Sequence, residues 1–266
     1  MEKKLHLYNS KSDYLNEKDS FTPIYNVSYV IDTDEVLYNY VSGQGDTPIV
    51  FADNEVKRLC VENWGSGGEI TYDQAAAVTD IGTVFRGNTA ITSFDELQYF
   101  TGLTSIGVAA FDDCSNLSSV KIPNSVTIIK ECAFFNCISL KSISMPNGIT
   151  KIENIAFTNC PSLASISMPN NLTSIGIGVF DGCTSLTSIT IPNNLTSIGS
   201  SVFYNCSSLK TITSLALTAP SIANSTFQNL PTDGTLYVPA NATGYDVWMG
   251  TGDYYLGKYN WALSAL

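Results

Sequence analysis

A chain of 266 residues, 44% of them hydrophobic, is long enough for one sizeable core and too apolar for general disorder. Only 14% is charged, and a net charge of −11 lacks the Lys/Arg surplus that phosphate binding needs, which argues against nucleic acid. No apolar run approaches the roughly 20 residues that cross a membrane, so no membrane insertion is expected.

In chain order, residues 1–50 read as a β-hairpin and anchor segment. The first ten, Met1 to Ser10, start basic but lack an apolar h-region, so the chain is not expected to enter the general secretion route by itself. Acidity is concentrated at the front: residues 1–102 hold sixteen acids against seven bases, and residues 103–240 hold six against five. Residues 26–40, NVSYVIDTDEVLYNY, alternate on both sides of Asp32–Glu35, which predicts the hairpin.

Residues 51–80 read as helix–loop–helix. The first helix spans 53–63, with Val56, Leu59 and Cys60 on one face. Gly65-Ser66-Gly67-Gly68 follows, then a short helix opened by a Thr71/Gln74 capping box. The arrangement resembles an EF-hand or dockerin calcium loop, with Gly68 as the turn glycine and Ile70 as the buried position. That alignment starts at Asn63 and puts Gly65, Gly67 and Gln74 where oxygen ligands belong. Calcium needs those oxygens, above all a bidentate carboxylate at the end. The resemblance therefore implies a loop that kept its fold and lost its metal, and no cofactor is expected.

Residues 81–103 carry Ile81, Phe85, Ile91, Phe94, Leu97, Phe100 and Leu103 and read as an irregular coil that caps a solenoid beginning at residue 104. From 104 to 239 the chain repeats. Four units of 23 residues run without gaps: TSIGVAAFDDCSNLSSVKIPNSV, TIIKECAFFNCISLKSISMPNGI, TKIENIAFTNCPSLASISMPNNL and TSIGIGVFDGCTSLTSITIPNNL. A fifth starts at Thr196, and a divergent sixth ends at Pro239. Each has an Ile five residues before a Phe. In the first five a Cys follows that Phe by three residues, and a Leu comes after it. The alternating pairs Val120/Ile122, Ile143/Met145, Ile166/Met168, Ile189/Ile191 and Leu236/Val238 predict one strand per unit, usually closed by Pro. One coil cannot bury such columns alone, so the coils must stack.

The motif I-x-x-x-x-F-x-x-C-x-x-L-x-x-I-x-I-P-N resembles the BspA-like leucine-rich repeat family of bacterial surface and secreted proteins. The resemblance implies a leucine-rich-repeat-like solenoid, mostly β with irregular or short helical return segments, behind a small α+β N-terminal region. Ser214 and Leu215 stand where an apolar residue and Pro belong, so a bulge or break is expected near 213–221.

Five cysteines share one repeat column and read as small buried apolar side chains; Cys60 and Cys132 read as free thiols. Zinc-type spacing is absent. The single histidine, His6, lies at the edge of the polypeptide with nothing nearby that suggests a site, and the acid pairs Asp95-Glu96 and Asp112-Asp113 read as solvated turns, so no enzyme is expected. The aromatic residues 240–266, including Trp248, read as the second cap, with a sugar or partner platform as the alternative.

Outward beside the strand core stand Ser119, Lys121, Ser142, Ser144, Ser165, Ser167, Ser188, Thr190 and Tyr237. With Trp248 these are the candidate contacts to a protein or glycan. The expected function is a non-enzymatic adhesion scaffold on a cell exterior, attached through residues 1–50. The alternative is a structural component of a larger particle, such as a bacteriophage fibre or capsid decoration protein, which rests on the missing leader.

Overall fold

The computed structural model describes residues 45–266 and, before them, the backbone of strands His6–Tyr8, Tyr29–Ile31 and Leu37–Tyr38. These three strands form one antiparallel sheet, with Tyr8 opposite Tyr29 and Val30 opposite Tyr38. The turn expected at Asp32–Glu35, and most of the anchor segment, lie outside the described residues.

The rest is a parallel β-solenoid of about eight turns. The reading of one strand per coil needs correction, because most coils carry two. The second lies in the return segment, where Ser105–Ile106, Ile128–Ile129, Lys151–Ile152, Ser174–Ile175, Ser197–Ile198 and Ser221–Ile222 form a continuous six-stranded sheet in register. The threonine before each of the first five strands explains their regularity. The N–H of Thr127 donates to the Thr104 carbonyl at 2.9 Å and its hydroxyl donates to the same oxygen at 3.2 Å. Thr150, Thr173 and Thr196 repeat this one coil further on each time. Two donors on one carbonyl hold neighbouring coils at a fixed height.

Between the two strands the chain turns through two residues of left-handed conformation per coil. One column is Ala109, Cys132, Ile155, Gly178, Ser201 and Ser225; the other is Asp113, Asn136, Asn159, Gly182, Asn205 and Asn229. The second column suits its residues, since Asn and Gly tolerate positive φ. These turns aim alternate N–H groups at the next coil: Ala109, Phe111 and Asp113 donate to Glu131, Ala133 and Phe135.

The core is built of stacked columns. Phe111, Phe134, Phe157, Phe180, Phe203 and Phe227 are fully buried, with ring centroids 5.1 to 6.0 Å apart and nearly parallel planes. Phe85 stacks below Phe111 at 5.3 Å, so residues 81–103 are themselves a coil of the solenoid. Phe94 pairs with Val120 in the strand column.

A helical cap covers that first coil. Helix Asn54–Trp64 buries Val56 and Cys60, and Trp64 packs edge-on against Phe100 at 5.8 Å. Asp53 caps the helix with one oxygen, taking the N–H groups of Glu55 and Val56. Its other oxygen takes the N–H and hydroxyl of Thr92, both at 2.7 Å. Glu96 accepts the Ala52 N–H at 2.9 Å.

The Gly-rich loop closes on itself. Ser66 and Glu69 exchange both backbone hydrogen bonds around Gly67 and Gly68, which have φ of 61° and 83°. Asn63 donates its amide to the Leu59 carbonyl, and Gln74 completes the capping box with Thr71. The side chains aligned with a calcium loop are thus occupied by the chain's own backbone and neighbours.

At the far end Trp248 continues the phenylalanine column, 5.2 Å from Phe227 and tilted by 53°. Strand Ala262–Ala265 pairs in parallel with Thr235–Val238. Tyr245 reaches the buried Ser214 hydroxyl at 2.6 Å and donates to the Ala216 carbonyl at 2.9 Å.

Candidate functional site

The outward strand face is a sheet in two pieces. Ser93–Phe94, Ser119–Lys121 and Ser142–Ser144 form one. Ser188–Ile191, Thr211–Ser214, Thr235–Val238 and Ala262–Ala265 form the other. Residues 163–169 between them carry no strand. This break carries no signal in the repeat motif, whereas the departure expected near 213–221 is found there: Thr211–Ser214 keeps register with both neighbours, and the extra residues 215–220 leave the stack after it. Met145, before the break, and Met168, within it, fill the second inward position, where Ile122 and Ile191 stand in other coils.

The face still presents its side chains in order. Ser142, Ser144, Ser165, Ser167, Ser188 and Thr190 are exposed, and their hydroxyls make no hydrogen bond to any described residue. Coil spacing puts successive hydroxyls about 4.8 Å apart. Ser119 differs, since it contacts Asp95 at 3.3 Å. Lys121 is exposed at one end of the face, and Tyr237 is half-buried at the other. Trp248 does not belong to this set. It is 1% exposed, and its indole N–H donates to the Pro220 carbonyl at 3.0 Å, so it is core rather than contact surface.

The remaining polar chemistry is used internally. The repeat-column thiols donate to a phenylalanine carbonyl one coil back: Cys114 to Phe85 at 2.9 Å, Cys137 to Phe111 at 3.1 Å, Cys160 to Phe134 at 3.2 Å. Burial pushes the Cys114 thiol up to about 12. Each acid pair splits, against the reading of solvated turns. Asp112 is buried and bound to Arg86 at 3.0 Å, while Asp113 takes the Asn136 amide. Glu96 is buried under the cap, whereas Asp95 is exposed. Among the described residues no three His, Cys, Asp or Glu converge on a metal-sized site, and no helix is long and apolar enough to cross a membrane.

Residues 104–232 match the BspA type leucine rich repeat region in six copies. These repeats resemble the BspA type. Among solved structures, a leucine-rich repeat protein of T. pallidum is 32% identical over 51% of this chain and 66% of its own, with a TM-score of 0.46. The pneumococcal vaccine antigen PcpA is 23% identical over 66% of this chain and 42% of its own, with a TM-score of 0.50. The matches thus span less than two thirds of either protein. No curated protein matches the chain. The BspA-type motif accounts for the inward columns.

Proposed function

We propose that the protein is a non-enzymatic binding scaffold of the adhesion kind, working on a cell exterior. Its serine and threonine face would meet a protein or glycan, with the N-terminal region as attachment point. One observation carries the reading. The solenoid has two hydroxyl columns, and only one serves the fold. The hydroxyls of Thr127, Thr150, Thr173 and Thr196 are each bound to a carbonyl of the coil before. Those from Ser142 to Thr190 on the strand face hold no partner among the described residues and stand in water. An uncharged array of donors and acceptors suits hydroxyl-rich sugars or polar backbone. The BspA-type repeats support the surface setting.

The test is the double variant S165R/S167R, at exposed positions outside any strand. Wild type and variant are passed over arrays of neutral glycans and extracellular proteins. Wild-type binding that falls at least tenfold in the variant, with an unchanged unfolding midpoint, supports the face. Equal binding by both removes the face from the reading, and no binding by either removes the reading itself.

A further inference from the structure

The fifth coil leaves the repeat at one corner. In the four gap-free units that corner is Pro-Asn; here it is Leu215-Ala216-Leu217-Thr218-Ala219-Pro220. The loop turns away from its predecessor to pair with the C-terminal segment. The Thr243 N–H donates to the Leu217 carbonyl at 2.8 Å, and the Ala219 N–H donates to the Thr243 carbonyl at 2.9 Å. This opens a cleft of about 480 Å³ against the corner Asn193–Thr196 of the coil before, a size that holds small ligand groups.

Two leucines edge this cleft in water, Leu215 at 43% and Leu217 at 64% exposure. The other leucines between 104 and 239 are buried. A corner serving only to turn the chain has no use for exposed leucines where its counterparts carry Pro and Asn. A site where local sequence rules fail without structural gain is where function is sought.

We propose that this cleft docks an extended, uncharged segment of a partner protein through an aliphatic side chain. Three features select that occupant. No charged residue lines the cleft, so an ionic group would lose its water without compensation. No aromatic residue lines it either, so it lacks the ring platform that a sugar face stacks on. The amide of Asn193 and the hydroxyl of Thr218 supply polar contacts for a peptide backbone around an apolar floor of Leu195 and Pro220. The inference rests on the binding-scaffold reading but uses a different surface, so the two can fail separately.

The probe is a display library of uncharged nonapeptides, panned on the wild-type chain. Selected peptides are then titrated against L217D, T218K and S165R/S167R, each checked for an unchanged unfolding midpoint. The expected peptides share an aliphatic position and bind at least tenfold more weakly to L217D and T218K, but equally to S165R/S167R. Leu217 and Thr218 are both exposed, so neither substitution buries a charge, and either variant alone tests the cleft. Peptides lacking a shared aliphatic residue, or binding the cleft variants as well as wild type, overturn the proposal. So does a panning that enriches nothing. Peptides lost only with S165R/S167R would sink the cleft and leave the serine face standing.

Discussion

The thiol of Cys137 donates to the carbonyl of Phe111, 3.1 Å away and one coil back. The same bond recurs at Cys160, Cys183 and Cys206, so each coil is tied to its predecessor inside the core as well as through its sheets. A residue that reads as a small apolar filler is thus also a directed donor.

Thiol chemistry reports this directly. Six of the seven cysteines are buried, and only Cys132 is partly accessible. Its own thiol is raised by burial first and by Glu131 and Asp112 next, with Arg86 opposing. Iodoacetamide at pH 8 is expected to modify at most one thiol per native chain, more slowly than free cysteine and faster as pH rises above 9. Mass spectrometry checks it: seven adducts should appear only after unfolding, and several adducts on the native chain would contradict the buried column.

The phenylalanine stack makes the middle coils the costliest to damage. Phe157 lies between Phe134 at 5.2 Å and Phe180 at 5.8 Å, with no solvent contact. Phe157→Ala should cost about 3–5 kcal/mol, as for other large-to-small core changes. Urea unfolding measures it. A loss below about 1 kcal/mol would mean that the coils collapse around the gap.

Much of this core was legible because its signal is periodic. Ile106, Phe111, Leu117 and their repeats recur in fixed columns, and a column that recurs must point one way. What stayed hidden has a physical reason in each case. The return-segment strand is only two residues long, too short for alternation to show. The bonds of Thr127 and Thr150 give no sequence signal, because nothing in a sequence shows a hydroxyl turning back to a carbonyl. Ala109, Cys132 and Ile155 give no glycine signal for positive φ. Asp53, the first residue of the helix expected at 53–63, stands just outside the observed helix as its cap, and its second partner, Thr92, lies 39 residues on. On the candidate site, the repeat predicts the outward serines, and Ser214 and Leu215 mark the departure at 213–221, whereas the break at 163–169 and the shape of the cleft at Leu217 depend on how coils settle against their neighbours.

The left-handed columns give two variants of opposite sign. Ile155 holds φ of 48°, a poor place for a β-branched residue, and Asn159 holds 58°, which Asn tolerates. Ile155→Gly relieves a strain of about 1–2 kcal/mol and loses a half-buried side chain, for a net gain of about 0.5 kcal/mol. Asn159→Ala loses both the tolerated conformation and the amide bond to Asn136, for a loss of about 1 kcal/mol. Thermal melts of both variants decide whether the backbone or the side chains govern these corners.

Acid should loosen the helical cap first. Burial pushes Asp53 up, but the hydroxyl and N–H of Thr92 and the N–H groups of Val56 and Glu55 outweigh it, and the net value lies below the ordinary 3.8. A carboxylate depressed on folding contributes stability that is complete above its unfolded value and is lost as pH falls through the folded one. Hydrogen exchange of helix Asn54–Trp64 should therefore be constant from pH 7 to 5, after correction for intrinsic rates, and quicken below about pH 4 while the repeats stay protected. Asp53→Ala should give the loosened cap at neutral pH, at a cost of about 1–2 kcal/mol for the lost cap. Equal protection in that variant would show that apolar packing alone, chiefly Trp64 and Val56, seats the helix.

The other end depends on its aromatic segment. Deleting residues 240–266 would strip Trp248 from Phe227 and strand Ala262–Ala265 from Thr235–Val238. It would also leave the fully buried Ser214 without its Tyr245 partner. An uncovered apolar column beside an open strand edge is a template for association. The truncated chain is expected to elute as oligomers and aggregate in size-exclusion chromatography, where the intact chain gives one sharp species. Tyr245→Phe isolates the polar part of the same contact: it keeps the ring, removes the bonds to Ser214 and Ala216, and should cost about 1–2 kcal/mol without aggregation. A truncated chain that stays folded and monodisperse would mean the sixth coil closes the solenoid by itself, freeing the aromatic segment for contact with a partner.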